Sequence, residues 1–351
     1  MAKKVLIVDD SALVRKQLTE IIQTLDFEID VAKNGKEAVD KATSLQYDVI
    51  TMDINMPVMD GVEAVKRIMK AQPTAILMVS SLTFNDAEVT MDALDAGAID
   101  YITKPGTMNV GKVQNAQNIV DLVKSLSRIP KRRLQRRVQK APQKERKVVT
   151  QKVEQVGDSR DIQKVILIGS STGGPGLIEQ ICASLPSAYK YPVCIVQHMP
   201  EQFTEAFAQR LNRSSMLNVH ETTNGMELLP GNIYVARGGV HMNFAKKTSG
   251  KIVIKEDKEK GDNFFQPSVN DMMKSSLNIF KGENLIGVLL TGIGDDGADA
   301  MVELKKAGAY TLGESEESAT VYGMPKVAFD RGGVCEQLNF SDILKKIVTL
   351  K

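Results

Sequence analysis

Three turns in the second half of this 351-residue chain carry side chains that acyl transfer needs. The apolar run Val165 to Ile168 leads into Gly169-Ser170-Ser171-Thr172-Gly173-Gly174-Pro175. Small residues let the chain turn sharply there, and Pro175 suits a first helical turn. A serine on a strand-turn-helix bend projects its hydroxyl above the sheet, and the unpaired N–H groups of the helix start can hold developing negative charge. Ser171 is therefore the candidate nucleophile. A second run, Val193 to Val196, ends in Gln197-His198-Met199-Pro200, which puts an imidazole at a strand end as the candidate general base. A third, Leu289-Leu290-Thr291-Gly292-Ile293-Gly294-Asp295-Asp296-Gly297, supplies Asp296 to orient and charge-stabilise that imidazole. The order Ser, His, Asp differs from the common hydrolase classes, but triads are defined by geometry.

Two nucleotide motifs compete for the same glycines. Gly169 and Gly174 have P-loop separation, but Pro175 stands where the lysine is required. Gly292-x-Gly294-x-x-Gly297 follows a strand, opens a helix and has Glu314 downstream, which resembles a dinucleotide fingerprint. Asp295 and Asp296 would face the pyrophosphate with like charge, and the motif comes late in its domain, so the hydrolytic reading is preferred.

The first half carries a different chemistry. Asp9 and Asp10 follow the first apolar strand and Asp53 ends the third. In open α/β sheets the carboxyl ends of strands form the ligand crevice. Three converging carboxylates repel one another, and a hard divalent cation offsets that. Mg²⁺ favours few carboxylates plus a carbonyl and waters, which Asp10, Asp53 and the Asn55 carbonyl can supply, with Asp9 acting through water. Ser80 and Lys104 end the next two strands, and a hydroxyl and an ammonium beside that site suit a phosphoryl group on Asp53.

These residues need two sheets to position them. Val5–Val8, Ile29–Ala32, Val49–Met52, Ala75–Val79 and Ala98–Ile102 read as strands separated by helical patterns, which predicts a (βα)5 domain with a five-stranded parallel sheet. The alternation resumes from Lys164, with strands at Val165–Ile168, Val193–Val196, Ile233–Ala236, Leu285–Leu290 and Ala309–Leu312. This predicts a doubly wound α/β hydrolytic domain with a mostly parallel sheet and a hairpin within 246–259. Between them, Asn115 to Ser127 reads as an amphipathic helix. From Ile129 the chain is Gln-rich and basic, with ten basic side chains against one acidic between 128 and 147. Such a segment buries too little apolar surface to offset its ordering entropy and reads as a linker. The expected domains are 1–125, a linker at 126–160, and 161–351.

The whole chain is 42% hydrophobic and 25% charged, which fits folded domains with real cores. No apolar run is long enough to span a bilayer and no signal peptide is recognisable, so the expected compartment is the cytoplasm. Cys182, Cys194 and Cys335 are widely spaced, which argues against disulfides or a zinc site and predicts small core hydrophobes.

The segments Val8-Asp9-Asp10, Met52-Asp53-Ile54-Asn55-Met56-Pro57-Val58-Met59-Asp60-Gly61 and Lys104-Pro105 resemble a response-regulator receiver domain. The resemblance implies Asp53 as phosphoacceptor, Mg²⁺ as cofactor, Ser80, Tyr101 and Lys104 as switch residues, and a chemotaxis histidine kinase as phosphoryl donor. The turns at 169–174, 197–200 and 291–297, with His241-Met242, Pro267-Ser268-Val269 and Tyr322-Gly323-Met324-Pro325, resemble the catalytic domain of the CheB-type chemotaxis protein-glutamate methylesterases. That resemblance implies Ser171, His198 and Asp296 as the triad, backbone N–H groups near Thr172 and Ile293 as oxyanion donors, and a contact from the Thr172 hydroxyl to His198. It implies no cofactor in the catalytic domain. Ile293, Asp295 and Gln266 stand where the family often has Met, Asn and Arg.

The implied function is a phosphorylation-activated serine hydrolase that demethylates glutamate methyl esters, and deamidates glutamines, on methyl-accepting chemotaxis receptors, giving sensory adaptation. It would work at receptor arrays without being a membrane protein. An unphosphorylated receiver would cover the active-site mouth. The different-class alternative is a response regulator whose output is DNA. The C-terminal half is not basic and shows no helix-turn-helix pattern, so no nucleic-acid partner is expected.

Overall fold

The computed structural model describes residues 2–81, 83–105, 112–140, 157–259, 261 and 265–350. The chain divides into two compact units, Met1–Glu145 and Arg146–Lys351.

The first unit holds strands β1 (Lys3–Val8), β2 (Phe27–Ala32), β3 (Val49–Asp53), β4 (Ala75–Ser80) and β5 (Asp100–Thr103). They pair in the order β2-β1-β3-β4-β5, all parallel. β3 and β4 are buried along their whole length, which is why they read as largely apolar runs rather than alternating ones. Around the sheet lie α1 (Ala12–Ile22), α2 (Gly35–Ser44), α3 (Gly61–Ala71), α4 (Phe84–Asp95) and α5 (Lys112–Leu126). The first four are started by the side chains of Ser11, Asn34, Asp60 and Thr83, each accepting a backbone N–H three residues on.

The basic segment expected as a linker is in part helical: α6 spans Lys131–Lys140. Leu134 is buried in the same core as Leu126 and Val123, with Ile129 packed against it. Two apolar anchors in a run of cations are enough to dock one helix, and composition averaged over the segment hides them. Residues 141–156 of the expected linker lie outside the described residues.

The second unit has a seven-stranded sheet built from β6 (Val165–Ser170), β7 (Val193–Gln197), β8 (Asn218–Glu221), β9 (Asn232–Val235), β12 (Leu285–Leu289), β13 (Tyr310–Glu314) and β14 (Glu336–Leu338). Its order is β14-β13-β12-β6-β7-β9-β8, and every pairing is parallel. Separately, β10 (His241–Lys246) and β11 (Ile252–Asp257) form an antiparallel hairpin, which begins before the segment expected from its polarity. The helices are α7 (Pro175–Ser184), α8 (Glu201–Ser214), α9 (Val269–Leu277), α10 (Ala298–Lys306), α11 (Met324–Asp330) and α12 (Phe340–Val348). One core joins Val165, Leu167 and Leu289 of the sheet to Met272 and Met273 of α9 and Met301 and Leu304 of α10.

Cys182 and Cys194 are core residues, as expected. Cys335 is exposed, because β14 is a half-buried edge strand and the residue precedes it. Among the described residues no helix is long and apolar enough to cross a membrane.

Candidate active site and acidic cluster

The second sheet reverses its strand order between β6 and β12. From β6 the chain steps outward through β7, then returns to β12 on the other side. Crevices form outside the carboxyl ends of strands at such a point. Ser171 follows β6, His198 follows β7, and Asp296 lies in the turn between β12 and α10.

The three turns are stitched together through their backbones. Ser171 N–H donates to the Thr291 carbonyl at 2.9 Å, and His198 N–H donates to the Ser170 carbonyl at 3.1 Å. The Gln197 amide nitrogen donates to the carbonyls of Ser171 (3.0 Å) and His198 (3.2 Å), while its oxygen accepts the Ser170 hydroxyl at 2.7 Å. The Thr291 hydroxyl donates to the Thr172 carbonyl at 2.8 Å and accepts the Val321 N–H at 2.9 Å. Two glycines permit this closeness. Gly173 takes φ +79°, where a side chain is strained, and a Cβ on Gly292 would lie 2.8 Å from Ser171 Cβ and 2.2 Å from Met324 Sδ.

His198 Nε2 lies 2.8 Å from Asp296 Oδ2. The same carboxylate accepts the Ser268 hydroxyl (2.9 Å) and the backbone N–H groups of Val269 (2.7 Å) and Asn270 (2.9 Å). Asp296 thus sits on the N-terminus of α9, where helix N–H groups favour an anion. Burial opposes its ionisation, but the bond from His198 and those from α9 outweigh it and hold the carboxyl below its usual range. An ionised Asp296 can only accept, so Nε2 carries the proton. Nδ1 is then the basic nitrogen, and it is buried without a hydrogen-bond partner.

The expected row of three is therefore two-thirds formed. His198 and Asp296 are bonded, but no hydrogen bond joins the imidazole to Ser171 or to the Thr172 hydroxyl. Ser171 and Thr172 are both buried. Among the described residues, the Thr172 and Ile293 N–H groups make no hydrogen bond. The helices that start at these turns, α7 and α10, have Gly174 and Gly297 as N-caps and no capping side chain. Within α10 the Ala298 N–H donates to the Asp295 carbonyl at 2.9 Å and the Ala300 N–H to the Asn270 side chain at 2.9 Å.

Three residues near the site had no role in it assigned from sequence. Phe265 stacks on the His198 ring, with centroids 3.8 Å apart and planes 12° from parallel. Ser268 caps α9 and bonds Asp296, and beyond the Pro267-Ser268-Val269 motif its local signal is Ser-x-x-Asp before a helix. Glu314, read only as part of a dinucleotide decoy, is fully buried at the end of β13 and accepts the Thr291 N–H at 2.9 Å. Asp295 instead turns outward and pairs with Arg331.

In the first unit the strand order reverses between β1 and β3, and Asp9, Asp10 and Asp53 gather there. One carboxylate oxygen from each lies within 4.8 Å of the others. Lys104 Nζ is 2.9 Å from Asp53 Oδ2 and 3.2 Å from Asp9 Oδ2. Burial pushes Asp53 up to about 6, with the Asp9 charge adding and Lys104 opposing, and burial also raises Asp9. Excess negative charge among hard oxygens is the donor set that suits Mg²⁺. Arg15 donates to the carbonyls of Asp9 and Asp10 and fixes that turn. The Asn55 side chain donates to Asp86 at 2.8 Å. Lys104 N–H donates to the Ser80 carbonyl at 2.9 Å, which joins two of the three expected switch positions, and the third, Tyr101, is buried on β5.

Comparison with known proteins agrees with both units. Residues 166–347 match the CheB methylesterase family and residues 5–123 match the response regulator receiver domain. A protein-glutamate methylesterase/protein-glutamine glutaminase of Carboxydothermus hydrogenoformans is 44% identical over 358 residues, covering 99% of this chain and 98% of that protein. A similarly named protein of Caldanaerobacter subterraneus is 43% identical, covering 98% and 96%. The crystal structure of the Thermotoga maritima CheB methylesterase catalytic domain superposes with a TM-score of 0.51 at 35% identity, over 54% of this chain and 98% of that one.

Proposed function

The chain belongs to the CheB methylesterase family, with a response regulator receiver domain in front, and from this premise we propose that it is a protein-glutamate methylesterase and protein-glutamine glutaminase acting on chemotaxis receptors in sensory adaptation. The observation that carries the reading is the His198–Asp296 pair, whose unpartnered Nδ1 is buried at the switch point that also holds Ser171.

The chemistry follows from the geometry. His198 Nδ1 takes the Ser171 proton as Ser171 Oγ attacks the ester carbonyl. The Thr172 and Ile293 N–H groups receive the oxyanion, which forms only as the reaction proceeds, so they favour the transition state over the ground state. His198 returns its proton to the departing methanol. Water, activated by the same nitrogen, then releases glutamate and restores Ser171. With glutamine as substrate ammonia departs instead. Asp296 keeps its charge throughout and offsets that of the imidazolium. No bond joins Ser171 to His198 in the free protein, and such bonds often tighten when substrate binds.

Control is assigned to the first unit. Asp53 takes the phosphoryl group from a chemotaxis histidine kinase. Asp9, Asp10, Asp53 and the Asn55 carbonyl would hold Mg²⁺. When bound, it would supply charge neutralisation between the incoming phosphoryl group and Asp53. Lys104, Ser80 and Tyr101 respond to the modified Asp53. The protein works in the cytoplasm at receptor arrays.

The test is methanol release from membranes carrying methylated chemoreceptors, using the full-length chain with Mg²⁺, with and without a small-molecule phosphodonor. Release that rises with the donor is expected. No release under either condition contradicts the proposal.

A further inference from the structure

We propose that Phe265 is a positioning residue that fixes the plane of the His198 imidazole and stabilises the imidazolium formed on it during acyl transfer. This rests on the Ser171, His198 and Asp296 reading above.

The argument begins with what one hydrogen bond leaves undone. Asp296 holds His198 at Nε2, but one contact does not fix the ring plane. A phenyl ring lying 3.8 Å away and nearly parallel covers one face and fixes that plane. Both nitrogens stay at the edge, Nε2 on Asp296 and Nδ1 available to Ser171.

The segment carrying Phe265 is held in place. The Gln266 carbonyl accepts the Gly239 N–H at 3.1 Å, and the Gln266 amide donates to the Lys258 carbonyl at 3.1 Å. Pro267 and Ser268 are buried, and the Ser268 N–H approaches His241 Nδ1 at 3.2 Å. Directly after it, Ser268, Val269 and Asn270 bond Asp296. Residues 265–270 therefore grip both members of the dyad, one by its ring face and the other by its oxygens.

The energetic consequence is selective. A neutral imidazole gains little electrostatic energy from the negative face of a phenyl ring, whereas an imidazolium is attracted to it. The charge exists only after Ser171 gives up its proton. The His198 side chain is 5% exposed, so little water competes with the contact. An interaction of this kind raises kcat and leaves substrate affinity alone.

The test compares wild type, Phe265→Leu and Phe265→Tyr as full-length chains in the methanol-release assay, each with phosphodonor. Leucine fills similar volume without an aromatic face. It should lower kcat by roughly 3- to 30-fold with KM unchanged, and tyrosine should recover most of the loss. A spectroscopic readout does not depend on turnover. In a Ser171→Ala background the carbon-bound ring protons of His198 should show an upfield ring-current shift that disappears with Phe265→Leu. A Leu variant with wild-type kcat, or a ring-proton shift indifferent to residue 265, overturns this role and leaves the hydrolase reading standing. An inactive wild type overturns the hydrolase reading and this role with it.

Discussion

His198 presents its two nitrogens to different surroundings: Nε2 meets Asp296 at 2.8 Å, and Nδ1 has no partner although it is buried. A buried polar atom without a hydrogen bond costs stability. The fold tolerates one here because the backbone bonds among the β6, β7 and β12 turns determine where that nitrogen sits. In the proposed mechanism this nitrogen is the one that takes the Ser171 proton.

Asp296→Asn should damage both chemistry and fold. The amide cannot serve the imidazole and the α9 N–H groups as one anion does, and its NH₂ invites the wrong His198 tautomer. A loss of about 10³- to 10⁴-fold in kcat is expected. Replacing one of the two accepting oxygens by NH₂ leaves two donors facing a donor and should also cost about 2 kcal/mol. Because the native carboxyl is held below its usual range, its contribution is fully present above the unfolded-state value of about 4 and is lost as pH falls through the native one. Denaturation of the two proteins should show a gap at pH 5 that closes below about pH 4. A gap that grows on acidification would contradict the assignment.

Glu314 should matter although it touches no substrate. It holds the Thr291 N–H, while the Thr291 carbonyl holds Ser171 and the Thr291 hydroxyl holds Thr172. Its other oxygen accepts the Ser318 hydroxyl, which in turn accepts the Phe340 N–H at the start of α12. Glu314→Leu leaves buried donors unmet and should cost about 1–3 kcal/mol each, with a fall in kcat as the nucleophile turn loosens. Glu314→Gln keeps an acceptor and should fall between. Urea titration and kcat measured together check this, and a Leu variant as stable as wild type rules it out.

Mg²⁺ should stabilise the unit that carries Asp53. At a hundred times its dissociation constant, a ligand specific for the folded state adds about 2.7 kcal/mol. Calorimetric scans should show the Mg²⁺-dependent rise in wild type and its loss in Asp10→Asn. In the methanol-release assay, Asp53→Asn should abolish stimulation by phosphodonor and leave the basal rate. Full stimulation in that variant would place the phosphoacceptor elsewhere.

Much of this was legible in the chain because parallel strands buried on both faces are continuous apolar runs, and the chemistry lies at their ends. Val165–Ile168 and Val193–Val196 point straight at Ser171 and His198 for that reason. The same logic fails at sheet edges. β8 and β14 are short and half-buried, so Asn218–Glu221 and Glu336–Leu338 show no such run. The spacing of Phe340, Ile343 and Ile347 does carry a helical signal, and these residues form the buried face of α12. Phe265 and Glu314 were invisible as parts of the site because their roles depend on long-range contacts, with a ring 67 residues earlier and a backbone 23 residues earlier. α6 was hidden by its charge.

The most direct measurement is methanol release from methylated receptor membranes by phosphodonor-treated wild type and Ser171→Ala at equal concentration, with thermal melts showing both folded. Loss of the hydroxyl should lower the rate by at least about four orders of magnitude, to the residue of catalysis that binding and oxyanion donors sustain without a nucleophile. Release by Ser171→Ala at the wild-type rate would contradict the account.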